Sequence, residues 1–150
     1  VFESKPRILA LDVGKRRIGV AISDELGLTA QGLETLERTN NREDYAALAR
    51  LAAERRVSMF LIGNPVNMNG REGRQAEWVR QFAEALSTRT GVPVKMWDER
   101  LTTVEAGRVL RSSGISIQKR ARAVDRLSAV LLLQNYLDAL ELGGEPEPGA

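Results

Sequence analysis

Residues 7–23 read RILALDVGKRRIGVAIS, and the fold turns on how they are read. Arg7 to Val13 is a short, mostly aliphatic run closed by Asp12-Val13-Gly14, and Ile18 to Ser23 is a second run beyond a turn through Lys15, Arg16 and Arg17. Two apolar runs around a brief polar turn predict a β-hairpin. Asp12 stands at the end of the first strand, where Val or Ile would be expected and where an uncompensated charge is costly. A turn aspartate that accepts from backbone N–H groups would satisfy the position. Open α/β sheets also place ligands just beyond their strand ends, which is the functional reading.

Beyond the hairpin a weaker third strand is expected over Gly32 to Leu36. Tyr45, Leu48, Ala49 and Ala52 then recur at helical spacing, so Asn41 to Arg55 is an amphipathic helix with Asn40 or Asn41 as its cap. Val57 to Ile62 (VSMFLI) is too short and too apolar for anything but a buried strand, and it ends at Gly63. Ala76, Val79, Phe82 and Leu86 mark a second helix that runs to about Thr90. Val92, Val94 and Met96 alternate with Pro93, Lys95 and Trp97 in a strand that leads into Asp98-Glu99. Thr102 to Glu105 has the form of a capping box, so a third helix is expected to about Arg111. Ser112 to Ile117 reads as a loop and Ala121 to Leu142 as a long, mainly apolar helix. The order implies one α/β domain over residues 1–142, a mixed five-stranded sheet with helices on both faces, followed by an acidic flexible tail over residues 143–150.

Composition removes whole classes of chemistry. The chain of 150 residues has no Cys and no His. Thiolate or imidazole zinc sites, disulfides, Cys nucleophiles and Ser-His-Asp triads are excluded. No window approaches 18 uninterrupted apolar residues and nothing at the amino end reads as a signal peptide, so no membrane partner is expected and the cytoplasm is the expected compartment. Lys and Arg number 22 against 20 Asp and Glu, nearly balanced. The distribution is uneven, however: between Ala106 and Val124 stand Arg108, Arg111, Lys119, Arg120 and Arg122 and no acid.

Three carboxylate positions go against the burial pattern. Asp12 is the first. The second is Asp98 or Glu99, which the pleat would point to opposite faces, so only one of them shares a site with Asp12. The third is Asp125, whose helical neighbours Ala121, Ser128, Ala129 and Leu132 form a small, apolar stripe; a salt bridge one turn back to Arg122 is the bland alternative. Carboxylates without His or Cys suit a hard cation with oxygen ligands. The segment Gly63 to Arg74 (GNPVNMNGREGR) is longer than such connections usually are, and its asparagines, glycines and following helix start suit a phosphate.

The sequence resembles the YqgF/RuvX family, bacterial pre-16S rRNA nucleases that also look like Holliday-junction resolvases. The resemblance rests on Leu11-Asp12-Val13-Gly14 with Arg17-Ile18-Gly19-Val20-Ala21, on Gly63-Asn64-Pro65 with Asn67-Met68-Asn69-Gly70, on Asp98-Glu99-Arg100-Leu101-Thr102-Thr103, and on Val124-Asp125 with Leu133-Gln134-Asn135-Tyr136-Leu137. It implies an RNase H-like fold and selects Glu99 over Asp98, so that Asp12, Glu99 and Asp125 are the expected catalytic acids and ligands of Mg²⁺ or Mn²⁺. In that scheme Asp12 lies between two ions, Glu99 and Asp125 each hold one, and Asp98 helps through water if at all. Asn64 and Asn69 depart from the family's usual aliphatic and Asp. The expected partner is structured RNA such as pre-rRNA, or branched DNA, touched by Lys15, Arg16, Arg17, Asn67, Asn69, Arg71, Arg100, Arg111, Lys119, Arg120 and Arg122. A junction resolvase would be a two-fold homodimer; an RNA trimmer need not be. Two rivals are an ATP-binding lobe of the actin and sugar-kinase type, which needs a second lobe that 150 residues do not provide, and a catalytically inert nucleic-acid-binding module, whose relatives typically lack one of the acids.

Overall fold

The computed structural model describes residues 5–65, 73–98 and 117–142, with side chains in the last stretch described from residue 123. The predicted hairpin is formed by β1 (Arg7–Val13) and β2 (Arg17–Ser23), antiparallel, with Asp12 facing Gly19 and Val13 facing Ile18. The expected third strand is two pieces, β3 (Ala30–Gly32) and β4 (Leu36–Glu37), both paired with β2. Gly32 faces Ala21 and Leu36 faces Ile18, so three residues on the outer ribbon span two on β2. One extra residue in an edge ribbon breaks the ladder as a bulge does, which is why one predicted strand became two.

Helix α1 (Asn41–Glu54) is capped by Asn40, whose side chain accepts from the Glu43 N–H at 2.9 Å. β5 (Val57–Asn64) runs two residues past its predicted end, because Gly63 and Asn64 keep their ladder partners Trp97 and Asp98. Asn64 therefore ends a strand and is buried, rather than opening a surface loop. Helix α2 (Arg74–Thr90) stops at Gly91, whose φ of 73° gives the left-handed cap that glycine adopts without strain. β6 (Val94–Asp98) is parallel to β5, as β5 is to β1. The long helix α3 (Ile117–Glu141) begins four residues earlier than predicted and so takes in Lys119 and Arg120 as well as Arg122, which was expected within it. Residues 117–120 contain no Gly or Pro and are mostly good helix formers, but lack the apolar periodicity that signals a helix from Ala121 onward.

The sheet runs β3-β2-β1-β5-β6, with β4 beside β2. Strand alternation divides its residues between two cores. Leu9, Leu11, Ile18, Val20, Ile22, Phe60 and Ile62 pack with Leu48, Val79, Phe82 and Leu86 beneath α1 and α2. Ile8, Ala10, Ala21 and Leu61 pack with Ala129, Leu132, Leu133 and Tyr136 beneath α3. Short side chains on that second face let α3 lie close to the sheet. Helices do cover both faces, as the element order implied.

Candidate active site

Alternation along β1 directs Ile8, Ala10 and Asp12 to the face that α3 covers. Opposite Asp12 on β2 is Gly19, and residues so paired are about 4.5–5.5 Å apart at Cα. A Cβ built on Gly19 would fall 1.9 Å from the Asp125 carbonyl oxygen and 2.5 Å from its carbonyl carbon. The backbone of α3 thus rests on the strand at that glycine, and the sheet register and this single close approach carry Asp125 to the residue facing Asp12. Two acids separated by 113 positions in sequence share one end of the sheet, where the parallel strands β1, β5 and β6 finish.

The Asp125 side chain is 22% exposed and accepts a 2.7 Å hydrogen bond from Nε of Arg17, whose side chain is 30% exposed. Among the described residues the partner is Arg17, on β2; the side chain of Arg122 lies outside them. That hydrogen bond pushes the Arg17 guanidinium above its already high pKa, with Asp125 and Glu37 adding attraction against some desolvation. Lys15 and Arg16 are exposed in the hairpin turn. On β6, Met96 packs under α1 and α2 whereas Trp97 packs edge-on against Tyr136 of α3, ring centroids 5.3 Å apart. Asp98 has the parity of Met96 and is on the face away from Asp125.

Sequence reasoning missed Arg38. Its Nε donates to Asp44 Oδ2 at 2.9 Å, and its terminal nitrogens donate to the Gly14 carbonyl at 3.0 Å and Asn41 Oδ1 at 2.7 Å. The guanidinium stacks over Trp78 and Phe82, 5.3 and 5.0 Å from their centroids. Arg38 thereby ties the turn that follows Asp12 to the start of α1. An Arg in an unpatterned segment carries no sequence signal for this; only Asp44, an acid that the helix buries, hinted at a partner.

Asp12 and Asp125 offer hard oxygen donors on one face, the chemistry Mg²⁺ and Mn²⁺ prefer. Among the described residues no group of three or more acids could hold a metal ion. Glu99, Asn67, Asn69, Arg71, Arg100, Arg111 and the capping box at Thr102 to Glu105 lie outside the described residues, as do the side chains of Lys119, Arg120 and Arg122. A cavity of about 300 Å³ lined by Ile8, Met59, Tyr136 and Leu137 sits at the start of β1, the other end from Asp12. Among the described residues no helix is long and apolar enough to cross a membrane.

A hairpin-led mixed sheet of this order between helices, with acids gathered where β1 meets α3, defines the RNase H-like class. RuvC from T. thermophilus in complex with Holliday junction substrate superposes over 95% of this chain and 100% of its own with a TM-score of 0.59 at 14% identity. The Fowlpox virus resolvase in complex with substrate Holliday junction DNA does so over 89% and 98%, with a TM-score of 0.55 at 12% identity. Identities this low establish the fold alone. The profile of the RuvX family, described as a Holliday junction resolvase, matches residues 6–139, and the chain belongs to that family of nucleases. A protein of Koribacter versatilis named "Putative pre-16S rRNA nuclease" is 53% identical over 132 residues, 88% of this chain and 86% of that one. Its namesake in Thermoanaerobacter pseudethanolicus is 49% identical over 134 residues, 89% and 96% of the two chains.

Proposed function

We propose that this nuclease hydrolyses phosphodiester bonds at the 5′ end of pre-16S rRNA in the cytoplasm, with Mg²⁺ or Mn²⁺ as cofactor and Asp12, Glu99 and Asp125 as its acids. One observation carries the reading: Gly19 lets α3 touch β2 at the residue facing Asp12, bringing Asp12 and Asp125 to one place. Asp98 has the parity of Met96, away from α3, which leaves Glu99, outside the described residues, as the third acid of this reading. The names of the relatives support the RNA substrate. Asp12 and Asp125 would hold the divalent ion; when bound, it supplies an activated water and charge stabilisation at the leaving oxygen. The chain itself orients the scissile phosphate. Lys15, Arg16, Arg17, Asn67, Asn69, Arg71, Arg100, Arg111, Lys119, Arg120 and Arg122 form the proposed nucleic-acid surface, and residues 1–142 the domain that carries it, with 143–150 as a tail.

The family's description favours a second reading, resolution of Holliday junctions, which requires a two-fold dimer to cut symmetric strands. The test is cleavage of a 5′-extended 16S precursor beside a four-way DNA junction, by the native chain and by Asp12→Asn, Glu99→Gln and Asp125→Asn. Trimming of the precursor that each substitution abolishes, with folding and binding retained, is the expected result. Paired symmetric nicks on the junction and an intact precursor would establish the second reading instead. Near-native cleavage by Asp125→Asn would refute the site.

A further inference from the structure

We infer that Arg17 is the resident cation of the acidic site and weakens its hold on metal until nucleic acid arrives. The inference rests on the proposed site, and concerns what occupies Asp125 beforehand. Arg17 shares the parity of Gly19 and Ala21 on β2, so its side chain emerges on the α3 face beside the Gly19 contact that seats Asp125. Its Nε is 2.7 Å from Asp125 Oδ2, a charge-assisted hydrogen bond between partly buried groups. Glu37 is the ladder partner of Arg17 on β4 and adds attraction.

A carboxylate held this way is already neutralised. A divalent ion on the same carboxylate would meet a positive charge within a few ångströms, where like charges repel strongly in a partly desolvated site. The two cations therefore compete for Asp125. A phosphodiester resolves the conflict, because its anionic oxygens accept the planar fork of the guanidinium that Asp125 releases. Arg17 thus acts as a positioning residue that couples metal affinity to substrate binding. By linkage, nucleic acid raises metal affinity by the factor by which metal raises nucleic-acid affinity.

The experiment is a calorimetric titration of Mn²⁺ into the full metal-free chain, alone and with a 2′-O-methyl RNA hairpin bearing a 5′ extension. Removing the charge in Arg17→Gln or Arg17→Met should tighten Mn²⁺ binding to the free protein about tenfold, the scale of one lost charge-assisted pair. It should also shrink the enhancement by the hairpin by a similar factor. Arg17→Lys keeps the charge and should stay within about threefold of the native affinity. Unchanged or weaker Mn²⁺ binding in both uncharged variants overturns the inference, and so does tightening by Arg17→Lys equal to that of Arg17→Gln. Asp125→Asn separates the two levels. If it leaves Mn²⁺ binding unaltered, the metal site itself is wrong; if it weakens binding while the Arg17 variants behave as native, only the role of Arg17 fails.

Discussion

Gly19→Ala tests the geometry of the site with one methyl group. The added Cβ would lie 1.9 Å from the Asp125 carbonyl oxygen, whereas ordinary contact begins at 3.4 Å. The backbone of α3 must retreat by about 1.5 Å, since neither atom is the end of a flexible side chain. Overpacking of this kind costs about 1–3 kcal/mol, and here it also draws Ala129 and Leu132 away from Ala10 and Ala21. A catalytic group displaced by about 1 Å loses on the order of 10²-fold in rate. Gly32→Ala is the comparison: its Cβ would come within 2.7 Å of Arg126 Cγ and 3.3 Å of Val130 Cγ2, side-chain rather than backbone atoms, so it strains the packing without moving the backbone that carries Asp125. Urea denaturation should show Gly19→Ala destabilised within that range and Gly32→Ala destabilised less, with its cleavage rate near native. Single-turnover cleavage by folded Gly19→Ala should fall about a hundredfold. Native stability with native cleavage in Gly19→Ala would mean that α3 does not seat Asp125 on β2, and would refute the convergence of the two acids.

Breaking the Arg38–Asp44 pair, whose side chains are 7% and 2% exposed, should cost about 3–5 kcal/mol in Asp44→Ala by urea melt, because it leaves a buried guanidinium without its acid. If Lys119 and Arg120 both touch phosphate, replacing the two by Ala should flatten the slope of log affinity against log salt by roughly 1.4–1.8, measured by fluorescence anisotropy; an unaltered slope assigns them to solvent. The Thr29 backbone N–H, with those of Leu28 and Gly27, holds the Asp24 carboxyl below its ordinary pKa. A lowered carboxyl stabilises the loop above its unfolded pKa and loses that contribution as pH falls through the folded value. The protection factors of the Leu28 and Thr29 amides, exchange rates taken relative to the intrinsic rate at each pH, should therefore fall in acid, and Asp24→Asn should remove that acid dependence.

Local chemistry made much of this protein legible before any coordinates. β1 was predicted over the residues it occupies, because an aliphatic run ended by Asp-Val-Gly can do little else. Asn40 could be read as a cap and Tyr45, Leu48 and Ala52 as one helical face, since both signals span only a turn or two. Asp12 and Asp125 stood out for the same reason, each a charge set against its own element's apolar pattern. What their neighbours would be was beyond that reach. Arg17 and Asp125 meet across 108 positions, a separation that no local pattern bridges. Arg38 gathers Gly14, Asn41, Asp44, Trp78 and Phe82 around one guanidinium without a periodic signature of its own. The extra residue between β3 and β4 shows only in the ladder, because register is a relation between two strands and not a property of either. Periodicity and capping are local, so sequence determined the elements and marked the acids; ion-pair partners and the helix-to-sheet contact at Gly19 depend on packing between distant segments, and only the tertiary structure decided them.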